Sequence, residues 1–123
     1  MSKSIKVIVA GSRSIQDYPL VKAKLDHLFQ NIPASTEIII VSGTCSGPDL
    51  LGERYAQENR LQIKRYPAQW NVYGKSAGPR RNAVMAQNAT HAVIFWDSIS
   101  RGTKSMINLA HTYKLNVRVI EVN

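Results

Sequence analysis

The chain has 123 residues, 44% of them hydrophobic, which supplies apolar side chains for one core; residues 1–123 are therefore expected to form a single domain. Sixteen Lys and Arg against eight Asp and Glu give a formal charge of +8, pointing to an anionic partner such as nucleic acid, a nucleotide or an acidic membrane. A single cysteine, Cys45, excludes an internal disulfide and a cysteine metal cluster, and no apolar run is long enough to span a bilayer or to serve as a signal peptide, so the expected setting is soluble, reducing and cytoplasmic.

The first expected strand, Ile5 to Ala10, runs into Gly11-Ser12-Arg13. A helix follows from Pro19, where proline suits a helix start, with Val21, Leu25, Leu28, Phe29 and Ile32 on one stripe. The second strand, Glu37 to Val41, leads into the loop Ser42 to Asp49. Pro48 suits the first position of the next helix, Ser46 with Asp49 resembles a capping box, and the helix is expected to end near Asn59. After a strand from Gln62 to Tyr66, Pro67 to Pro79 is a long connection carrying Trp70 and Tyr73. A third helix is expected from Gly78-Pro79 through Met85 and Ala89, then a strand from His91 to Trp96 and the loop Asp97 to Thr103. A fourth helix shows Met106, Leu109, Ala110 and Tyr113 on one face, and Val117 to Val122 is the last strand.

Alternating strands and helices predict a parallel sheet covered on both faces. The runs Val7 to Ala10, Ile38 to Val41 and Ala92 to Phe95 are uninterrupted and apolar, as central strands should be, whereas Ile63 to Tyr66 and Val117 to Glu121 interleave polar residues as edges do. The prediction is an α/β, Rossmann-like, doubly wound five-stranded sheet in the order 3-2-1-4-5, whose chain reverses direction between strands 1 and 4.

In such a sheet the ligand crevice lies beyond the carboxyl ends of the strands. Glycines there let backbone N–H groups approach an anion, hydroxyls add donors, and a loop entering a helix cradles phosphate. Gly11, Ser12, Arg13, Ser42, Gly43, Gly47, Ser100, Arg101, Gly102 and Thr103 fit that description, and Lys75, Arg80, Arg81 and Lys104 gather beside the same loops. Arg80 and Arg81 start a helix, against its dipole, which calls for an anionic ligand or a buried carboxylate. Asp49 either caps its helix or faces the ligand, and Asp97 either binds a ribose hydroxyl or anchors its own loop. Trp70, Tyr73 and Trp96 are aromatic candidates for stacking on a base, the first two favoured by their place in a long loop, with a core role as the alternative. Cys45 has no histidine in the neighbouring motifs to activate it, and His27, His91 and His111 read as structural. No His or carboxylate cluster has metal-ligand spacing, so no metal and no required cofactor are expected.

Taken in order, Ala10-Gly11-Ser12-Arg13, Val41-Ser42-Gly43 with Gly47-Pro48-Asp49, Leu51 to Ala56, Trp70 with Tyr73-Gly74-Lys75, Gly78 to Asn82, and Phe95-Trp96-Asp97 with Ser100 to Thr103 resemble the YspA-like branch of the SLOG superfamily, over nearly the whole chain. These are Rossmann-like domains related to DprA and to the lysine-decarboxylase-like LOG phosphoribohydrolases. The resemblance implies a ligand that is a nucleotide or is built from one, such as NAD, ADP-ribose or linked nucleotides, and adds Asn82 to the expected contacts. LOG enzymes carry an arginine before a methionine on one helix, loosely matched by Arg81 to Met85, and a Gly-Gly-x-Gly-Thr loop followed by glutamates. Arg101-Gly102-Thr103 resembles that loop, but Lys104, Ser105 and Met106 stand where the glutamates would be. Without that carboxylate an oxocarbenium ion loses its electrostatic partner, and Asp49, Glu53 and Asp97 are the candidates to replace it.

Three functions follow. The first is a module that binds a phosphorylated nucleotide or nucleotide-derived second messenger of the NAD, ADP-ribose or cyclic nucleotide type and senses or sequesters it; the small size favours this reading, and a sponge would need no effector domain. The second is a hydrolase of the ligand's N-glycosidic or phosphoester bond. The third, ranked last because no basic helix stripe or recognition motif is visible, is nucleic-acid binding. A homo-oligomer, dimer or higher, is expected from related domains that pair through helices, and no membrane partner is expected.

Overall fold

The three uninterrupted apolar runs become the three inner strands. In the computed structural model, which describes residues 3–123, β1 (Ser4–Gly11), β2 (Glu37–Ser42), β3 (Gln62–Arg65), β4 (His91–Trp96) and β5 (Asn116–Glu121) pair in parallel in the order β3-β2-β1-β4-β5. The connecting helices are α1 (Tyr18–Phe29), α2 (Pro48–Glu58), the short α3 (Trp70–Tyr73), α4 (Ala77–Gln87) and α5 (Arg101–Thr112). This is the expected Rossmann-like α/β architecture.

A strand alternates its side chains with a period of two, so the central β1 feeds two cores. Val7 and Val9 pack with Val21 and Leu25 of α1 and Tyr55 and Ala56 of α2. Ile8 and Ala10 pack on the other face with Met85 and Ala86 of α4 and Met106 and Ala110 of α5. Helices α1 and α2 thus cover one face and α4 and α5 the other, and the loops leaving β1 and β4 diverge to opposite faces. That divergence opens a crevice above the two strands. The edges β3 and β5 carry mostly exposed side chains, as their mixed composition requires.

Asp17 Oδ1 caps α1 by accepting the Leu20 N–H at 3.1 Å, and Pro19 sits in the first turn. The helix ends at Phe29 rather than Ile32, because Pro33 disfavours helical backbone at Ile32, whose N–H closes a turn on Phe29 O at 3.0 Å. Tyr55 Oη donates to Asp26 at 2.7 Å and Tyr18 Oη to Glu58 at 2.6 Å, tying α2 to α1. Gly52 lets α2 sit directly on β1: a Cβ there would lie 2.7 Å from Val9 Cβ. Among the described residues, no helix is long and apolar enough to cross a membrane.

The connection 67–79 differs from the long loop read in the sequence. Trp70–Tyr73 forms α3, a 3-10 turn at Gly74–Ser76 follows, and α4 begins at Ala77 rather than Gly78. A single helical turn is too short to leave a periodic signature, and Pro79 is accommodated within the first turn of α4.

Candidate functional site

The loops after β1, β2 and β4 open on the same side of the sheet and enclose a cleft of about 360 Å³. Its floor is the end of β1. A Cβ on Gly11 would stand 2.2 Å from Phe95 O, so glycine is what allows β1 to run against β4 to its last residue, where Ser12 N–H donates to the same carbonyl at 2.9 Å. Ser12 is buried, and its Oγ accepts the Asp97 N–H at 3.1 Å and lies 3.4 Å from Thr103 Oγ1. Thr103 Oγ1 in turn donates to Ser100 Oγ at 3.1 Å. A chain of hydroxyls therefore links the β1 and β4 loops across the crevice.

The β4 loop is held from both sides. Asp97 Oδ1 accepts the N–H groups of Ile99 at 2.9 Å and Ser100 at 2.7 Å, and Trp96 Nε1 donates to Ser100 O at 3.0 Å. Those backbone donors hold the Asp97 carboxyl below its ordinary pKa. Asp97 thus anchors its own loop through Oδ1, and the Trp96 indole N–H braces the same loop. Ser100 is the N-cap of α5 but makes no side-chain cap bond, which leaves the N–H groups of Arg101, Gly102 and Thr103 without a partner in the helix. Gly102 and Thr103 line the cleft, so this end of the α5 dipole opens into it.

The opposite wall comes from the β2 loop and α4. The expected capping box at Ser46 and Asp49 does not form: Gly47, at φ +87°, is the N-cap of α2, and Asp49 Oδ2 accepts the Cys45 N–H at 3.1 Å instead. Gly47 packs on the β1 loop, where a Cβ would meet Arg13 O at 2.9 Å. Asp49 is only 6% exposed, and burial pushes its pKa up to about 6 against the opposing pull of the Cys45 N–H and Arg81. Of the anionic ligand or buried carboxylate that its position calls for, Arg81 has no carboxylate within ion-pair distance among the described residues and is held by backbone instead. Its Nη1 donates to Gly43 O and, at 3.4 Å, to Tyr66 O, while Nε donates to Asn82 Oδ1 at 2.7 Å. Arg13 and Arg81 each bring a guanidinium nitrogen near Cys45 Sγ, at 3.9 and 3.7 Å. Among the described residues neither arginine lies within 4.0 Å of a carboxylate, so neither is held in an ion pair at the cleft, although both act on Asp49 through space.

Of the residues singled out in the sequence, Gly11, Ser12, Arg13, Asp49, Arg81 and Asn82 line this cleft together with Asp97, Ser100, Gly102 and Thr103. Ser42 lies beneath it, donating to Glu53 Oε2 at 2.6 Å and accepting the Thr44 N–H at 3.0 Å. Gly43 and Trp70 line an adjoining cavity, and Gly47 supports the loop between the two. Lys75, Arg101 and Lys104 are exposed and line neither, and Arg80 lies over the Tyr73 ring at 4.4 Å, outside the main cleft. Met85 and Met106, which also line the main cleft, read in the sequence as helix-stripe residues and through the LOG resemblance but not as ligand contacts; Cys45 lies within the expected β2 loop, weighed there only as a nucleophile, and Ser14 follows the β1 loop without a chemical signal of its own.

Among the carboxylate candidates, Glu53 is engaged by Ser42 and by Arg65, whose Nε lies 2.9 Å from Oε1. Asp97 gives Oδ1 to its loop, and Asp49 is buried in the cleft wall, which raises its pKa. No histidine lines the cleft, and among the described residues no three His, Cys, Asp or Glu side chains cluster as metal ligands would.

The family model described as YspA, cpYpsA-related SLOG family matches residues 5–73. Comparison with curated proteins gives no match. Among solved structures the chain is similar to DNA processing protein A (DprA) from Streptococcus pneumoniae, at 16% identity and a TM-score of 0.70, over 98% of this chain and 51% of DprA. The likeness to DprA is one of fold, and the chain spans about half of DprA's length. A second match, the C-terminal domain of PF1911 hydrogenase from Pyrococcus furiosus, has 16% identity and a TM-score of 0.45, over 97% of this chain and 93% of that domain.

Proposed function

Because the chain belongs to the YspA, cpYpsA-related SLOG family, a membership that points to nucleotide-related binding or processing, we propose that it binds a phosphorylated nucleotide or nucleotide-derived signal in the cleft above β1 and β4. The observation that carries this reading is the uncapped start of α5 opening into the same cleft as two arginines that form no ion pair with a carboxylate among the described residues. Backbone N–H groups, the Ser100 and Thr103 hydroxyls and the helix dipole form a phosphate cradle, and Arg13 and Arg81 add charge from the other wall. Arg81 is already fixed by carbonyls, so little side-chain entropy is lost when an anion meets it. Asp49 suits a ribose hydroxyl or a base N–H, for which a buried carboxyl in either protonation state is a partner. Sensing and sequestering both follow from such binding.

A second reading is favoured by Asp49 itself. A carboxyl with a pKa of about 6 exchanges protons near neutrality, as a general acid or base must, and makes cleavage of an N-glycosidic or phosphoester bond chemically accessible. The two readings separate in one experiment: the protein is incubated with NAD, ADP-ribose, nucleoside monophosphates and cyclic dinucleotides, and retained and free compounds are identified by mass spectrometry. Retention of an intact compound is the expected result. Released base, ribose phosphate or linearised nucleotide would make the protein a hydrolase, with Asp49→Asn predicted to retain binding and lose turnover.

A further inference from the structure

The main cleft does not end at Arg13 and Arg81. Both arginines, with Cys45, also line a second cavity of about 510 Å³ that extends to Gly43, Thr44 and Trp70. No carboxylate lines this second cavity. Trp70 is 51% exposed, an unusual state for the largest apolar side chain, yet its ring is backed: a Cβ on the buried Gly78 would meet Trp70 Cη2 at 3.3 Å, so glycine lets the indole lie on the start of α4. Thr44, on the facing loop, holds φ at +67°, a conformation that a β-branched residue rarely adopts and that the surrounding loop must enforce. A supported aromatic surface beside two guanidinium groups, one of them held by carbonyls, is the arrangement that stacks a nucleobase and tracks the phosphate attached to it.

We propose that Trp70 forms a second base subsite, so that the ligand class is a dinucleotide: one nucleoside in the main cleft, the other base on Trp70, and the linking phosphates between Arg13 and Arg81. The inference rests on the reading of the main cleft as a nucleotide site. Two cavities joined through the same pair of arginines match two nucleosides joined through phosphate, whereas a mononucleotide would leave the aromatic surface and its cationic border unused.

The test compares, by isothermal titration calorimetry, diadenosine diphosphate with ADP and diguanosine diphosphate with GDP, on the wild-type protein, Trp70→Ala and Trp70→Phe. A nucleoside diphosphate carries more negative charge than the matching dinucleotide, so a tighter dinucleotide reports the second base and not charge. The expected result is a dinucleotide preference of about tenfold or more in at least one pair. Trp70→Ala should abolish that preference without weakening the nucleoside diphosphate, and Trp70→Phe should retain most of it. Equal binding of dinucleotide and nucleoside diphosphate by the wild-type protein, or equal weakening of both by Trp70→Ala, overturns the second subsite and leaves the main cleft standing. Failure of all four compounds to bind overturns the nucleotide reading and this inference with it. Thermal melting checks that the variants fold; should Trp70→Ala not fold, the wild-type comparison decides alone.

Discussion

Replacing Asp49 with asparagine should stabilise the protein at neutral pH and leave its stability unchanged in acid. Burial raises the Asp49 carboxyl from 3.8 to about 6. The native state therefore keeps a proton between those values that the unfolded chain has released, and stability falls as pH rises through that window. At ~1.4 kcal/mol per pH unit the displacement amounts to about 3 kcal/mol, present as a penalty at pH 7 and absent below pH 4. Asparagine keeps an oxygen for the Cys45 N–H and never ionises, so Asp49→Asn should escape the penalty, raising Tm by roughly 10 °C at pH 7. Urea or thermal denaturation of both proteins from pH 4 to pH 8 at constant ionic strength measures the difference directly. A difference that does not change with pH, or a variant less stable than wild type at pH 7, would refute the claim that a desolvated carboxylate is held in the cleft wall. A site that sacrifices stability in this way is one where function opposes stability, so the same variant should bind the nucleotide less well if the cleft only binds it, and should keep binding but lose turnover if the cleft cleaves it.

Gly11→Ala should abolish folding or lower stability by several kcal/mol, because its Cβ would overlap the Phe95 carbonyl at 2.2 Å and backbone cannot step aside as a side-chain tip can; circular dichroism and soluble yield would show it. Arg13→Ala should weaken nucleotide binding about tenfold while leaving Tm within about 1 °C, since the side chain is exposed and touches only Cys45 Sγ at 3.9 Å; a fall in Tm without loss of affinity would make Arg13 structural. Affinity for one nucleotide should decline gently between 50 and 200 mM salt by titration calorimetry, and a loss of about 10³-fold would instead indicate a nucleic-acid backbone. Lys114→Gly should stabilise the protein by about 0.5–1 kcal/mol in urea melts, because Lys114 occupies the left-handed position after α5, at φ +60°, where Leu115 N–H returns to Ala110 O at 2.9 Å.

The sheet was legible because burial on both faces removes alternation, and only β1, β2 and β4 contain an unbroken apolar run of four residues. Their order followed from the same signal, the two mixed strands going to the edges. Helix ends were less legible where the chain avoids the residues that usually mark them. Both α2 and α5 close with a residue in the left-handed conformation, yet these are Arg60 and Lys114 rather than glycine, so composition leaves no mark of the motif. In α3 the local sequence lacks any period, and the turn is stabilised by contact with α4 through Trp70 and Gly78, a long-range fact invisible to a window of four residues.

In the site, sequence reasoning located the loops and misjudged the partners within them. Glycines and hydroxyls after each strand announce where an anion could approach, because those residues are chosen by backbone geometry that is local. Which wall a charged side chain reaches is not local. Arg81 lies 38 positions from the Gly43 carbonyl it donates to, and Asp97 lies 85 positions from Ser12, whose hydroxyl accepts its N–H. The ambiguity at Asp49 is the clearest case. An acidic residue in the first turn of a helix ordinarily gains from the dipole and stays ionised, which makes a cap the natural reading. Here the cleft wall excludes enough water for desolvation to outweigh the Cys45 N–H and the fields of Arg81 and Arg13, and the same residue becomes a group in the cleft whose charge changes near neutrality.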